Sequence, residues 1–166
     1  MIIRPARPED HAAIRPLVTA AFAAADHASG TEADIVEGVR AEGAVLVELV
    51  AEADGEIVGH ILFSRMTCDR PVFVAGLGPV AAAPDRQLRG IGTALIQRGL
   101  GDCRALGVQA VILLGHPTYY PRFGFSAQAA ARIASPYAGN PAFMALELTP
   151  GALGQPLKAE FPAAFG

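Results

Sequence analysis

Four residues between positions 87 and 93 have the types and spacing that bind an anion: Gln87, Gly90, Gly92 and Thr93. An apolar run ends at Pro84, and a helical pattern begins after the glycines, so a strand is predicted to enter a helix through this turn. The first N–H groups of a helix lack partners within it, and the helix dipole adds partial positive charge. Because glycines let a bulky anion approach those donors, we expect a phosphate here.

Two common nucleotide-binding motifs do not fit this turn. The nucleoside-triphosphate loop, G-x-x-x-x-G-K-[ST], requires a Gly-Lys pair that the sequence lacks. The dinucleotide fingerprint, G-x-G-x-x-G, requires glycine or alanine where Leu95 stands, and no acidic residue ends the following strand. The loop alone leaves two alternatives open, a different phosphate site and an ordinary glycine-rich turn.

Two motifs together resemble the GNAT superfamily of N-acetyltransferases. The turn reads Gln87-x-x-Gly90-x-Gly92 after the strand LGPVAAAP, and this is similar to the family's acetyl-coenzyme A motif, Q/R-x-x-G-x-G/A. Residues 113–125, LLGHPTYYPRFGF, resemble the later strand, short helix and Tyr-x-x-x-Gly-Phe segment, especially in a bacterial subgroup with a YYxRFGF signature. The opening IIRPARPEDHAAI is similar to the first strand and helix, and the resemblance extends to about residue 148.

The resemblance implies that acetyl-CoA binds along this stretch. Its pyrophosphate is expected on the backbone N–H groups of the turn and helix start: Gln87, Leu88, Arg89, Gly90, Ile91, Gly92 and Thr93. The pantetheine arm is expected to pair as a pseudo-strand with Val80 and Ala82. Gly78-Pro79 fits this arrangement because proline donates no hydrogen bond and leaves a strand edge open; a plain bulge is a compatible explanation. Arg86 and Arg89 are either phosphate contacts or solvated loop residues.

For catalysis, the resemblance implies direct attack of an amine on the thioester. The N–H of Val80 is the candidate oxyanion donor. Tyr120, four residues before the glycine of Gly-Phe, is the candidate that contacts CoA and protonates the departing thiolate. Tyr119 takes this role if the register differs by one residue. On composition alone, a packed aromatic residue is the simpler explanation of Tyr120.

The base that accepts the amine proton has four candidates. His116 follows the buried strand 108–114. Glu32, His27 and Asp26 lie in the loop and helix start that wall the acceptor site in GNAT proteins. Any one of them could accept the proton, directly or through a water molecule. A histidine at a strand end is often a packing residue, and GNAT proteins often have Asn or Asp near this position, so the role stays open.

The composition argues against several other classes of function. Charged residues make up 17% of the 166 residues and the net charge is −3, which disfavours nucleic-acid binding and a tRNA-acetylating enzyme. Cys68 and Cys103 are too few for a disulfide framework or a zinc site, so no metal is expected. With no signal pattern and no apolar run near the roughly 18 residues of a membrane span, a soluble cytoplasmic protein is expected.

The expected function is acetyl transfer from acetyl-CoA to a primary amine of a small molecule or a peptide. The alternative, from another class, is a non-catalytic acyl-CoA-binding sensor or partner domain. Tyr120 favours the enzyme, because a binding module needs no phenol at the sulfur. The acceptor itself has no motif, and the paired sheets of GNAT proteins make a homodimer a reasonable expectation.

Hydrophobic periodicity predicts the elements that must position these residues. Strands are expected at 2–3, 45–53, 56–66, 72–82, 108–114 and 143–148, helices at 8–24, 32–42 and 90–106, and a short turn or helix at 117–123. Asp54-Gly55 predicts a hairpin turn, and Pro16 is expected to kink or shorten the first helix. The buried stripe of the third helix is expected to comprise Ile91, Leu95, Gly99, Cys103 and Leu106.

These elements and the resemblance together predict an α/β protein with the GNAT fold. Its central sheet is expected to be mixed, mostly antiparallel and twisted, with six to seven strands, splayed fourth and fifth strands, and about four helices. One domain is expected over residues 1–166, since 52% of the residues are hydrophobic and no linker interrupts the chain. Residues 126–141 are predicted to be irregular, and residues 149–166 to form a C-terminal tail.

Overall fold

The structure is a computed structural model that describes residues 1–23, 25 and 28–166. The α-helices in these residues are α1 (His11–Phe22), α2 (Glu32–Ala41) and α3 (Ile91–Leu106). The strands are β1 (Ile2–Pro5), β2 (Val45–Ala53), β3 (Glu56–Arg65), β4 (Thr67–Cys68), β5 (Val74–Ala82), β6 (Ala110–Leu114), β7 (Ile133–Ala134), β8 (Phe143–Glu147) and β9 (Leu157–Glu160). Short 3-10 turns cover Pro8–Asp10, Pro84–Arg86, Tyr120–Phe123 and Ala163–Phe165.

The main sheet has six strands in the order β1-β2-β3-β5-β6-β8, and its neighbours run antiparallel except for β5 and β6. The parallel pair is short, since only Val74–Gly76 pairs with Ala110–Ile112. Strand β5 continues to Ala82 without β6 beside it. These are the fourth and fifth strands of this sheet in chain order, so the predicted α/β class, mixed sheet and splay are confirmed.

The β2–β3 hairpin turns at Asp54-Gly55 as predicted. Both residues have positive φ, 52° and 77°, which matches the primed turns that suit the right-handed twist of a hairpin. Nine residues of β2 and ten of β3 extend from this turn and form the centre of the main sheet. The hairpin therefore supports β5, the strand that borders the splay.

Helices cover both faces of the main sheet. Because side chains alternate along a strand, Leu49 and Ala51 of β2 face α3, whereas Val50 between them belongs to the cluster under α1 and α2. Helix α1 buries Ile14 and Val18 and continues through Pro16, so the helix begins later than predicted but is not cut at the proline. The four expected helices become three α-helices and the 3-10 turn at 120–123.

Helix α3 ends at Gly107, as predicted. That glycine has φ 87°, its N–H donates to the Arg104 carbonyl, and the Val108 N–H donates to the Cys103 carbonyl, each at 3.0 Å. The predicted buried stripe is correct for its first four members, but Leu106 is 52% exposed. Leu106 occupies the last position of α3, where the chain turns away toward β6, and this explains the error.

The segment that was predicted to be a C-terminal tail contains a strand. Strand β9 lies within residues 149–166 and pairs with β4 on one side and β7 on the other, forming a three-stranded sheet. Leu157 and Ala159 are buried, whereas the alternating Lys158 and Glu160 are exposed. Strand β7 likewise falls inside 126–141, which was expected to be irregular. Strands of two to four residues are too short to give a clear period in the sequence.

Candidate functional site

The site begins at the open edge of β5. The Ala83 N–H donates to the Val58 carbonyl of β3 at 2.9 Å, so the alternation of backbone groups turns those of Val80 and Ala82 away from β3. They face the side that β6 has left. At the two positions predicted to bind pantetheine, the backbone of β5 therefore has no neighbouring strand on this side.

A shift in strand register lies next to this edge. Ile61 pairs with Val80 and Phe63 with Leu77, so one residue of β3 stands opposite Gly78-Pro79. The Gly78–Pro79 peptide bond is cis. Gly78-Pro79 therefore lies at both a bulge and an open strand edge, the two features that were expected there as compatible alternatives.

The turn after β5 leaves backbone donors free. Gly90 has φ 80° and precedes α3 without a side-chain cap, and the first bond within the helix runs from the Ala94 N–H to the Gly90 carbonyl at 3.0 Å. The N–H groups of Ile91, Gly92 and Thr93 therefore have no partner in the helix. Apart from its chain neighbours, no described heavy atom lies within 4 Å of the position for a Cβ at Gly90, so there is open space beside this glycine.

The side chains of this turn differ in their contacts and in their exposure. The Gln87 amide donates to the Ala82 carbonyl at 3.3 Å and ties the turn to β5. Leu88 has φ 65° and is fully exposed, and both properties are unusual for a leucine. Arg86 lies 3.8 Å from Asp54, whereas Arg89 is exposed.

The two tyrosines of the later motif point to different neighbours. The Tyr119 hydroxyl shares a 3.1 Å hydrogen bond with Thr93, at the start of α3. The Tyr120 ring packs on Gly115, where a Cβ would be 2.4 Å from it, and edge-on against Phe125. Burial raises the pKa of Tyr120 to about 12, so its hydroxyl keeps its proton at neutral pH.

The candidate bases lie on different elements. His116 is exposed, and its carbonyl accepts the N–H groups of Tyr119 and Tyr120 at 3.1 and 3.3 Å, so it stands directly before the tyrosines. Glu32 is only 9% exposed and accepts the Ser29 hydroxyl at 2.6 Å and the Thr31 N–H at 3.1 Å. Asp26 and His27 lie outside the described residues.

Glu32 also lines a pocket of about 350 Å³ between α1 and α2. Val18 and Ala33 line the same pocket and belong to the cluster that contains Ala81 of β5. The pocket therefore lies over the sheet face opposite α3, beside the strand that carries Val80 and Ala82. Glu32 begins α2, whereas His116 follows the end of β6.

Sequence reasoning missed a buried charge cluster on the same face. Arg40 of α2 and His60 of β3 both hydrogen-bond the Glu48 carboxylate of β2, with His60 Nε2 at 2.9 Å. Burial works to raise the pKa of Glu48, but the hydrogen bonds from His60 and Arg40 outweigh it and lower the pKa to about 2. The ionised carboxylate only accepts, so His60 Nε2 donates. The available signal was an acid within the apolar run VLVELVAEA.

Among the described residues, the buried cysteine and the metal-ligating side chain types give no further candidate site. Burial raises the pKa of the Cys103 thiol to about 12, so Cys103 is an unreactive core residue, as predicted. Over residues 1–23, 25 and 28–166, no group of three or more His, Cys, Asp or Glu side chains is arranged to hold a metal ion. None of the helices in these residues is both long enough and apolar enough to span a bilayer.

Comparison with known proteins relates this geometry to a family. Residues 2–127 match the family model for the acetyltransferase (GNAT) domain. The N-acetyltransferase YjhQ of Escherichia coli K12 is 38% identical over 122 residues, which are 70% of this chain and 64% of YjhQ. The chain thus matches less than two thirds of the length of YjhQ. The N-acetyltransferase YhbS of the same strain is 35% identical over 133 residues, 75% of this chain and 73% of YhbS.

Two solved structures are similar over nearly the whole chain. A GNAT family acetyltransferase from Brucella melitensis, in complex with acetyl-CoA, has a TM-score of 0.83 and 37% identity, and the match covers 99% of this chain and 97% of that one. YhbS from Escherichia coli, in complex with CoA, has a TM-score of 0.89 and 29% identity, with 99% and 91% covered. The family match, the relatives and the fold agree: this chain belongs to the GNAT family of acetyltransferases.

Proposed function

We propose that this protein transfers an acetyl group from acetyl-CoA to the primary amine of a small molecule or a peptide. One observation carries the proposal: the unpaired edge of β5 leads directly into the free N–H groups at the start of α3. An extended amide chain fits the first feature, and a pyrophosphate fits the second. The crystallised complexes of the two similar proteins with acetyl-CoA and CoA support the same ligand.

The residues that hold acetyl-CoA follow from this arrangement. The backbone of Val80 and Ala82 faces the open side of β5 and is suited to pair with the pantetheine amides. The pyrophosphate is assigned to the backbone of the turn and helix start: Gln87, Leu88, Arg89, Gly90, Ile91, Gly92 and Thr93. When bound, acetyl-CoA supplies an activated acetyl group, which the acceptor amine takes as the thiol leaves.

Negative charge develops on the thioester carbonyl oxygen and on the departing sulfur during acetyl transfer, and one group is assigned to each. The N–H of Val80 points to the open edge and stabilises negative charge on the carbonyl oxygen. We assign to Tyr120 the donation of a proton to the departing sulfur, since its hydroxyl is protonated at neutral pH. Tyr119 is less suited to this role, because its hydroxyl is already bonded to Thr93.

The acceptor amine must lose a proton, and we assign this step to Glu32 or His116. Glu32 lines the pocket on the face opposite α3, and His116 lies at the end of β6. Glu32→Gln and His116→Gln distinguish them. The variant of the acting base loses the rise of kcat/KM with pH that the wild type has, whereas the other variant keeps it.

The experiment that tests the proposal is release of free thiol from acetyl-CoA with a panel of primary amines and peptides, next to calorimetric titration with CoA. Thiol release that depends on an amine supports the enzyme. Tight CoA binding without thiol release for any amine contradicts it and favours the alternative, a non-catalytic acyl-CoA-binding sensor. Absence of CoA binding contradicts both.

A further inference from the structure

The C-terminal segment crosses the sheet face opposite α3 and places one aromatic ring on β5. After β9 the chain continues through Phe161 and Pro162 into the 3-10 turn Ala163–Phe165. A Cβ at Gly76 would be 2.8 Å from the Phe161 ring, a distance that real Cβ atoms do not reach. Glycine at position 76 is therefore what allows this ring to lie against the strand.

The chain segments before and after Phe161 are both fixed by hydrogen bonds. Before it, β9 pairs with β4 and β7; after it, the Glu42 carboxylate accepts the N–H groups of Ala163 and Ala164 at 3.2 and 2.7 Å. The Phe165 ring packs against Phe161 with the centroids 5.0 Å apart and the ring planes inclined by 36°. Such support gives the ring a defined position, as a residue that selects ligands by shape requires.

The position of the ring relates it to the site. Gly76 is the last residue of β5 that pairs with β6, so Phe161 marks the end of the open edge. Val80 lies four residues further along β5, but the bulge matches this stretch to only three residues of β3, which gives roughly 10 Å at the rise of a β-strand. The cluster under α3, which includes both tyrosines of the motif, fills the other face. An acceptor therefore reaches Val80 from the face that carries Phe161.

A polar group without a partner lies beside the ring. Ser64 of β3 pairs with Gly76 across the strands, so its side chain is on the same face. The Ser64 hydroxyl is buried and has no hydrogen-bond partner among the described residues. A buried hydroxyl of this kind is suited to bind a ligand group or a water. Beyond the ring, Phe161, Arg65 and Thr67 line a groove of about 470 Å³.

We propose that Phe161 and Ser64 form an acceptor subsite, and that the acceptor is an extended peptide rather than a small monoamine. The inference rests on the proposed function. The distance from Val80 matches the third or fourth residue of an extended peptide whose N-terminal amine is at the thioester. The ring packs on an apolar side chain of that residue, and the Ser64 hydroxyl bonds its backbone.

A set of peptides tests the subsite. Thiol release is measured with alaninamide, Ala-Ala-amide, and tetrapeptide amides with Leu or Asp at positions three and four. The wild type is expected to prefer the Leu tetrapeptide to the dipeptide by about tenfold in kcat/KM, the effect of burying one apolar side chain. In Phe161→Ala this preference falls to about threefold or less while the Kd for CoA stays within twofold; Phe161→Leu is intermediate. Equal preferences in wild type and Phe161→Ala overturn the proposal.

A second measurement does not depend on turnover. 4-Fluorophenylalanine at position 161 gives a 19F NMR signal, and the same label at Phe63, on the α3 side of β3, is the control. Addition of the Leu tetrapeptide to the CoA-bound protein should shift the signal at position 161 and leave that at position 63 in place. No shift at 161, or equal shifts at both, overturns the subsite. If no amine releases thiol, the proposed function fails, and this measurement still decides whether Phe161 contacts the peptide.

Discussion

The Tyr119 hydroxyl lies 3.1 Å from Thr93 Oγ1 and joins the turn after β6 to the first turn of α3. Gly92 borders the same hydroxyl, since a Cβ there would be 3.7 Å from it. Tyr120 follows directly in the chain, but its ring lies on Gly115. Two adjacent tyrosines thus have separate surroundings, and their contributions can be measured separately.

Replacement of Tyr120 by phenylalanine should lower kcat by about 100-fold, the usual effect of removing a general acid. The Kd for CoA should change little, because the ring and its packing on Gly115 remain. Stopped-flow or steady-state thiol release gives kcat, and calorimetry gives the Kd. The matched control is Tyr119→Phe, which loses the bond to Thr93 and keeps most of the activity. A loss in Tyr119→Phe alone would assign the acid to Tyr119 instead.

Gly90→Glu should abolish CoA binding. Position 90 has φ 80°, which costs a residue with a side chain about 1–2 kcal/mol, and a carboxylate there repels a pyrophosphate. The control is Gly101→Glu, within α3, since Gly101 is exposed and nothing described lies within 4 Å of its Cβ position. Calorimetric titration with CoA distinguishes the two variants. Binding by Gly90→Glu at wild-type affinity would mean that the phosphate lies elsewhere.

Replacement of Gly99 or Gly101 of α3 by alanine should change the free energy of unfolding in opposite directions. A Cβ at Gly99 would be 2.2 Å from the Phe63 ring, so Gly99→Ala should lower the free energy of unfolding by about 1–3 kcal/mol. Gly101→Ala meets no obstacle and should raise it by about 1 kcal/mol through helix propensity. Urea denaturation followed by circular dichroism measures both. Equal changes of the same sign would contradict close packing of α3 on β3.

The features that depend on local sequence could be predicted. The Asp54-Gly55 turn, the end of α3 at Gly107 and the free helix start after Gly90 each follow from a few neighbouring residues whose backbone preferences are strong. The resemblance to GNAT proteins added the splay, which no local pattern contains. Features that join distant segments could not be predicted, because nothing in a single sequence pairs Phe161 with Gly76 or Glu48 with His60.

The Glu48 cluster makes the fold sensitive to acid. Its folded pKa of about 2 lies below the ordinary value of 4.5, so the ionised carboxylate stabilises the fold above pH 4.5. That stabilisation is lost as the pH falls from 4.5 toward 2 and the carboxylate is protonated. Asp10 behaves in the same way, since hydrogen bonds from Arg4 lower its pKa from 3.8 to about 2.

Glu48→Gln should lower the free energy of unfolding at pH 7 by about 3–5 kcal/mol, because Arg40 is left as a partly buried charge without a carboxylate. It should also make unfolding less dependent on pH between 5 and 2 than in the wild type. Urea denaturation at pH 7, 5 and 3 measures both effects. The control is Glu37→Gln, whose exposed ion pair with Arg15 contributes about 0–1 kcal/mol. A wild-type pH dependence in Glu48→Gln would contradict the lowered pKa and leave Asp10 as the acid-sensitive group of this fold.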